Sequence, residues 1–457
     1  MATRRKKRRR YKLRPLGIFL LSLVIIIPLV LISALVLKNR GIEQNPSTFS
    51  NSDSYNSSSD SSSDSNSESK TATTSPDEIV VKSTATIGNI GDIILHSTIL
   101  TSYYEKSTDS YDFDNMFEHS KSTFEGVDFM VANLEVTLGG NNQAYSGYPA
   151  FNAPDSIVDA AKYGGIDMLL TANNHAYDTG LAGFLRTPEV LTQKGIIHTG
   201  TRVTTTEKPY VVNDVNGIKI GMINYTYETP RDDDRKALNG ALISEEAEPL
   251  VNSFDYDDLD SFYNELETNI ASMKTDGAEA IVVYMHWGNE YLTTVDSHQR
   301  IIAQKLCDLG VDVIIGGHPH VVEPMELFTS SEHKTICVYS LGNAVSNQRK
   351  ALMDLKTGET EDGLMFNYTF TKYSDGKVEL TSFSALPLWM NMYTYSGKKY
   401  YKIVPIEDPN NLTGKFDLDK TSTGVADAAA SYKRTMNIIG SSITKLESVY
   451  KNDSEKK

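Results

Sequence analysis

An α/β domain behind a membrane anchor is the architecture this sequence predicts, on three observations. Seven apolar runs, each ending in polar residues, recur between about residue 78 and residue 343. Stretches with helical spacing of apolar residues lie between many of them, and several stop at a glycine. One further apolar run, residues 17–37, is long enough to span a bilayer as a helix. Strands alternating with helices imply a core in which helices cover the faces of a sheet.

The anchor comes first. Residues 1–15, MATRRKKRRRYKLRP, carry nine Lys or Arg and no acid, and the apolar run GIFLLSLVIIIPLVLISALVL follows. A basic flank places the N-terminus in the cytoplasm. The expected topology is a single uncleaved pass over residues 16–37, with everything after it outside the cell membrane. The rival, a cleaved signal peptide, has a shorter apolar core and a small-x-small cleavage site, and neither is seen. Pro28 is tolerated inside a membrane helix.

The formal net charge is −15, and removing the nine positive charges of the arm leaves the remainder at −24. That acidic balance argues against nucleic acid as a partner, because phosphate binding needs a basic surface. Residues 38–77 are a linker rich in Ser, with Asp and Asn, that cannot bury enough apolar surface to fold. The two cysteines, Cys307 and Cys337, make no disulfide framework. They are expected as buried free thiols, with a disulfide between them as the alternative an extracellular location permits.

Residues 78–408 form the predicted domain. Its strands are read in STATIGNIGDIIL, VDFMVANLEV, GIDMLLTANNH, GIKIGMINYTY, AEAIVVYMHWG, VDVIIGGHPHVV and TICVYSLGN. Its helices are read in PDSIVDAAKYG, LAGFLRTPEVLTQKG, DDLDSFYNELETNIASMKTDG and SHQRIIAQKLCDLG. Past residue 347 the pattern turns strand-rich and completes the sheet. Residues 409–457 read as a weakly ordered tail with one short helix, ADAAASYKRTMNIIG.

Sites in α/β folds gather beyond the carboxyl ends of strands, and five strand ends here carry polar motifs. They are GD at 91–92, ANLE at 132–135, ANNH at 172–175, HWGNEY at 286–291 and GGHPH at 316–320. His318 and His320, two apart on a turn, can converge on one point, and imidazole suits borderline metals such as zinc, iron and manganese. Asp92, Glu135, Asn174, His286, His318 and His320 supply the O and N ligands that two adjacent cations need. Such pairs of ions activate water for attack on phosphorus or carbonyl. Each residue also has a plainer role open to it: a turn for Asp92 and Asn174, a sheet-edge polar group for Glu135, a packed core histidine for His286. Asn133, Glu290, Tyr291, Glu326 and Asn343 are lesser candidates for orienting the ligands.

The order and wording of these motifs resemble the CapA family of poly-γ-glutamate capsule biosynthesis proteins, which is similar to the calcineurin-like metallophosphoesterases. The resemblance rests on FNAPDSIVDAAKYGGIDMLLTANNHAYDTG, GIKIGMINYTY, HWGNEY, GGHPHVVEPME and YSLGN. It implies a four-layer αββα metallophosphoesterase-like sandwich holding two divalent ions, manganese, zinc or iron. By that analogy Asp92 and His320 serve the first ion, Asn174, His286 and His318 the second, and Glu135 bridges them. His175 takes the place of the histidine that protonates the leaving group, and Asp178 orients it. Two departures stand out. Ile94 occupies the position where the phosphoesterase pattern has a histidine ligand, with His96 either substituting for it or pointing elsewhere. Glu replaces Asp at the bridging position.

The resemblance further implies a role in synthesis or export of a capsular polymer, beside membrane-bound synthase or export subunits. The alternatives are a non-catalytic scaffold that binds a polyanion, and a surface phosphatase unrelated to capsule.

Overall fold

The computed structural model describes residues 79–231 and 235–454. The basic segment, the anchor expected over residues 16–37 and the Ser-rich linker lie outside the described residues. Among those described, no helix is long and apolar enough to cross a membrane.

The first half of the domain runs β1 (Val81–Ile93), α1 (Ser97–Tyr103), β2 (Phe129–Leu134), α2 (Ser156–Tyr163), β3 (Met168–Leu170), α3 (Gly180–Gln193) and β4 (Ile197–Thr199). The second runs β5 (Tyr210–Val215), β6 (Ile218–Tyr227), β7 (Ser253–Phe254), α4 (Leu259–Thr275), β8 (Ala280–His286), α5 (Ser297–Asp308), β9 (Val313–Gly317), β10 (Met325–Thr329) and β11 (Lys334–Val338). Then β12 (Asn343–Val345), β13 (Asp362–Tyr373), β14 (Val378–Tyr395) and β15 (Lys398–Pro405) return to the first sheet, and α6 (Gly424–Ser454) follows.

Two mixed sheets result. The eight-stranded one has the order β15-β14-β13-β1-β2-β3-β4, with β12 pairing β1. The seven-stranded one has the order β7-β6-β8-β9-β11-β10, with β5 pairing β6. In the first, β1 to β4 are parallel and β13 to β15 antiparallel. In the second, β6, β8, β9 and β11 are parallel.

Strand alternation explains the layers. On β2, Met130, Ala132 and Leu134 pack with Ile157 of α2 and Leu191 of α3, while Phe129 and Val131 turn to the opposite face. There they meet Val282 of β8 and Val313 of β9. On β8, Ile281, Val283 and Met285 face outward onto Leu266 of α4 and Ile302 of α5. Three apolar layers therefore lie between four layers of backbone. The same parity sends Glu135, two past Asn133, and His286, two past Tyr284, toward the space between the sheets.

The C-terminal segment departs from the sequence reading. The described part of residues 409–457 is not a weakly ordered tail: α6 spans 31 residues and lays Ile439 and Leu446 into the core between the sheets. Its buried stripe continues as Ala428, Ser431, Thr435 and Ser442, at the spacing of one helix face. Half of that stripe is hydroxyl-bearing, so the apolar signal in the sequence is thin. Arg434 clamps the helix down, donating from Nε and Nη2 to the two carboxylate oxygens of Asp362, each at 2.7 Å.

Burial pushes the Asp362 carboxyl up to about 6, even with Arg434 pulling it down. Arg434→Met strands that carboxylate in the interior and should cost about 3 kcal/mol in urea unfolding at pH 8. With its folded pKa above the unfolded value of about 3.9, the penalty is absent at low pH and grows as pH rises through the folded pKa. The deficit should therefore be smaller at pH 5 than at pH 8; an equal deficit would remove Asp362 from the explanation. Cys307 and Cys337 are both free and buried.

Candidate metal centre

The parallel strands of both sheets end on the same side, and their last residues meet there. Asp92 sits at the end of β1, where the register with β2 and β12 shifts. Glu135 directly follows β2, His286 ends β8, and His318 and His320 directly follow β9. All five are at most 3 % exposed.

These residues form two triads. Asp92, Glu135 and His320 make one, Glu135, His286 and His318 the other, and within each the ligand atoms lie within 4.8 Å of one another. Glu135 belongs to both. Its Oε1 is 3.5 Å from His286 Nε2 and 3.8 Å from His320 Nε2. On the other side of His320, Nδ1 is 3.2 Å from Asp92 Oδ2.

Both oxygens of Glu135 and Nδ1 of His318 are buried without a hydrogen-bond partner. A fully buried carboxylate lacking donors costs far more than a missed amide bond. Burial, then the charge of Asp92, push the Glu135 carboxyl well above its ordinary range. Burial raises Asp92 too, but His320, His286 and Asn133 pull it below its ordinary value. Burial lowers His286 to about 4 and His318 well below its usual range. The orphaned oxygens and ring nitrogen are what a divalent cation would satisfy, and the mixed N and O donors suit manganese, iron or zinc. The residues fit such ions.

A backbone device holds the HPH turn in place. His318 and His320 both have positive φ, 97° and 57°, a region non-glycine residues rarely occupy. The His318 N–H points at Asp92 Oδ2, 3.4 Å away, and Asn343 Nδ2 donates to the His320 carbonyl at 3.2 Å. Gly317 keeps the approach open, since a Cβ there would sit 2.9 Å from Asp92 Oδ1.

A ring of amides orients the ligands. Asn133 Nδ2 donates to Asp92 Oδ1 at 2.8 Å. Asn174 Oδ1 lies 2.9 Å from His286 Nε2, so Asn174 reaches the second triad through that histidine. Asn173, which the sequence reading passes over, donates to the Leu134 carbonyl at 2.9 Å and accepts from the His175 N–H at 3.1 Å. Its only signal is its place in ANNH.

His175 Nδ1 is 2.8 Å from Asp178 Oδ2, and the same oxygen accepts from the Phe151 N–H at 2.7 Å. A carboxylate only accepts, so Nδ1 carries the hydrogen and Nε2 is left for chemistry. The Phe151 ring packs edge-on against His175 at 4.7 Å and against His96 at 5.6 Å. Phe151, inside the FNAP motif, was also not singled out from the sequence.

His96 stands apart from both triads. Its Nδ1 accepts from the Asn347 N–H at 3.2 Å, and its backbone carbonyl, at the N-cap position of α1, accepts from the Ile99 and Leu100 N–H groups. Ile94 lies in the core on the helix side of the first sheet, because β1 ends at Ile93 and the alternation that would put position 94 on the face of Asp92 stops there. Glu326 pairs with Arg300 and Tyr339 on β10 rather than serving the centre. The buried acid after the HPH turn is Glu323, which accepts from Gln299 Nε2 at 2.8 Å.

The family described as bacterial capsule synthesis protein PGA_cap matches residues 86–348. The PGA biosynthesis protein CapA of Bacillus subtilis (strain 168) is 26 % identical over 296 residues, covering 64 % of this chain and 69 % of the relative. The capsule biosynthesis protein CapA of Bacillus anthracis is 25 % identical over 284 residues, covering 61 % of this chain and 64 % of that protein. Among solved structures, the calcineurin-like phosphoesterase YfkN from Bacillus subtilis matches with a TM-score of 0.36 and 16 % identity, covering 78 % of this chain and 98 % of that one. The Thermus sulfate thiohydrolase SoxB matches at 0.36 and 13 %, covering 70 % and 56 %.

Proposed function

The chain belongs to the bacterial capsule synthesis protein PGA_cap family, and from that membership we propose that it is a metal-dependent hydrolase of the phosphoesterase kind. In this reading residues 16–37 anchor it in the cell membrane and the domain works outside, in synthesis or export of a capsular polymer such as poly-γ-glutamate. Membrane-bound synthase or export subunits are its partners. The observation that carries the hydrolase reading is Glu135, shared by two buried triads and without a hydrogen-bond donor to either oxygen.

Asp92, Glu135 and His320 would hold one ion, and Glu135, His286 and His318, with Asn174, the other. Ions there would supply Lewis-acid charge for a developing anion and activate a water for attack on a phosphoester or acyl group. The protein's own groups do the rest. Asp178, which takes the Nδ1 hydrogen, and the Phe151 ring fix His175 so that its imidazolium form can deliver the Nε2 proton to the leaving oxygen. Asn133 and Asn173 hold the ligand-bearing loops in register, and the surrounding apolar layers keep bulk water out.

A second reading draws on the burial of His175, which is 5 % exposed. It makes the centre a structural or anion-binding element of a non-catalytic subunit. His175→Asn separates the two. In a strain lacking the gene, this variant should fail to restore polymer, and the purified full-length protein should lose about 10²–10⁴-fold in phosphoester hydrolysis with unchanged metal content. Full restoration of polymer by His175→Asn would overturn the catalytic reading and leave the scaffold.

A further inference from the structure

Three described non-glycine residues around the centre have positive φ, and only two of them belong to the triads. The third is Tyr291, at 64°. Strained backbone of this kind persists where the surroundings enforce it, and it gathers at binding and catalytic sites. Here the enforcement is visible. The Tyr291 N–H donates to the Pro319 carbonyl at 2.8 Å, stitching the loop after β8 to the peptide between the two histidines. The Tyr291 ring then lies over His320, with centroids 6.0 Å apart.

Its neighbours on the chain, Glu290 and Leu292, are exposed, whereas Tyr291 is half-buried between them and the centre. Gln348 Nε2 donates to the phenol oxygen at 3.3 Å. Gln348 is itself buried and held, because its Oε1 accepts from Asn343 Nδ2 at 2.9 Å and its carbonyl accepts from Thr360 Oγ1 at 2.5 Å. Asn343 also holds the His320 carbonyl. One lone pair of the phenol is thus occupied by a fixed donor, and its proton faces the Glu290 carboxylate, the acceptor that a bound anion would replace.

We propose that Tyr291 is a substrate-binding residue whose hydroxyl donates a hydrogen bond to an anionic oxygen of the ligand at the metal centre. A phosphate oxygen is the expected acceptor, which rests on the phosphoesterase reading above. Strain at position 291 then has a use: it turns the ring from solvent onto the rim of His320 and sets the hydroxyl against a rigid amide.

Calorimetric titration of inorganic phosphate into the manganese-loaded full-length protein tests this, with Tyr291→Phe beside the wild type. Tyr291→Phe keeps the ring, so the melting temperature and metal content should stay near those of the wild type. Phosphate affinity should fall about tenfold to a hundredfold, the worth of one hydrogen bond to a charged group. Equal affinity in the two proteins would overturn the assignment while leaving the phosphoesterase reading intact. A metal-loaded wild type that binds no phosphate would overturn that reading, and this inference with it.

Discussion

Glu135→Ala should abolish binding at both metal sites, not one. Glu135 is common to the two triads, and neither remaining pair of ligands closes a site alone. Manganese or zinc at about a hundred times its dissociation constant should stabilise the wild type by about 2.7 kcal/mol per site, seen as a rise in melting temperature. The variant should show no rise, while His318→Ala and His320→Ala should each keep part of it.

The sign reverses in metal-free buffer. Glu135 is a buried carboxyl group with no hydrogen-bond donor, so its removal relieves the cost of burying that group unsatisfied. Glu135→Ala should then be at least as stable as the wild type. Thermal melts with and without metal check both halves, and a wild-type-sized metal shift in Glu135→Ala would exclude a shared ligand.

Gly316→Ala should be the most damaging small substitution in the HPH strand. A Cβ at position 316 would lie 1.9 Å from the Tyr339 carbonyl oxygen and 2.5 Å from Trp287 Nε1. Neither group can step aside. Tyr339 directly follows β11, hydrogen-bonded beside β9, and Trp287 Nε1 donates to that same carbonyl at 2.9 Å. Overpacking against fixed backbone costs about 3 kcal/mol, enough to expect a large loss of soluble protein or melting temperature.

Gly317→Ala makes the contrast. Its Cβ would meet the Asp92 side chain rather than backbone, so stability should suffer less and metal affinity more. Equal melting temperatures for Gly316→Ala and wild type would mean that β9 and β11 are not packed as closely as described.

Much of the core is legible in the sequence because apolar runs of strand length mark β1, β2, β6, β8, β9 and β11 directly. The triad residues are legible for the same reason: each stands at or just past the end of such a run. Which of them share an ion is not legible, because that depends on β8 and β9 facing β1 and β2 across the space between the sheets.

His96 shows the limit of counting along a chain. Past the end of β1 the backbone leaves the strand, and the side chain four past Asp92 meets Asn347 and Phe151 and joins neither triad. The extent of α6 is hidden differently, by serines and threonines in its buried stripe. Asn173 acts through hydrogen bonds to the Leu134 carbonyl and the His175 N–H, and Phe151 through one to Asp178 and its ring packing, none of which leaves a periodic trace.

Metal content of the full-length protein, by elemental analysis after reconstitution with manganese, zinc and iron, tests the central claim most directly. The shared-carboxylate centre predicts about two transition-metal ions per chain in the wild type and about one in His320→Ala. No bound metal in the wild type would contradict it.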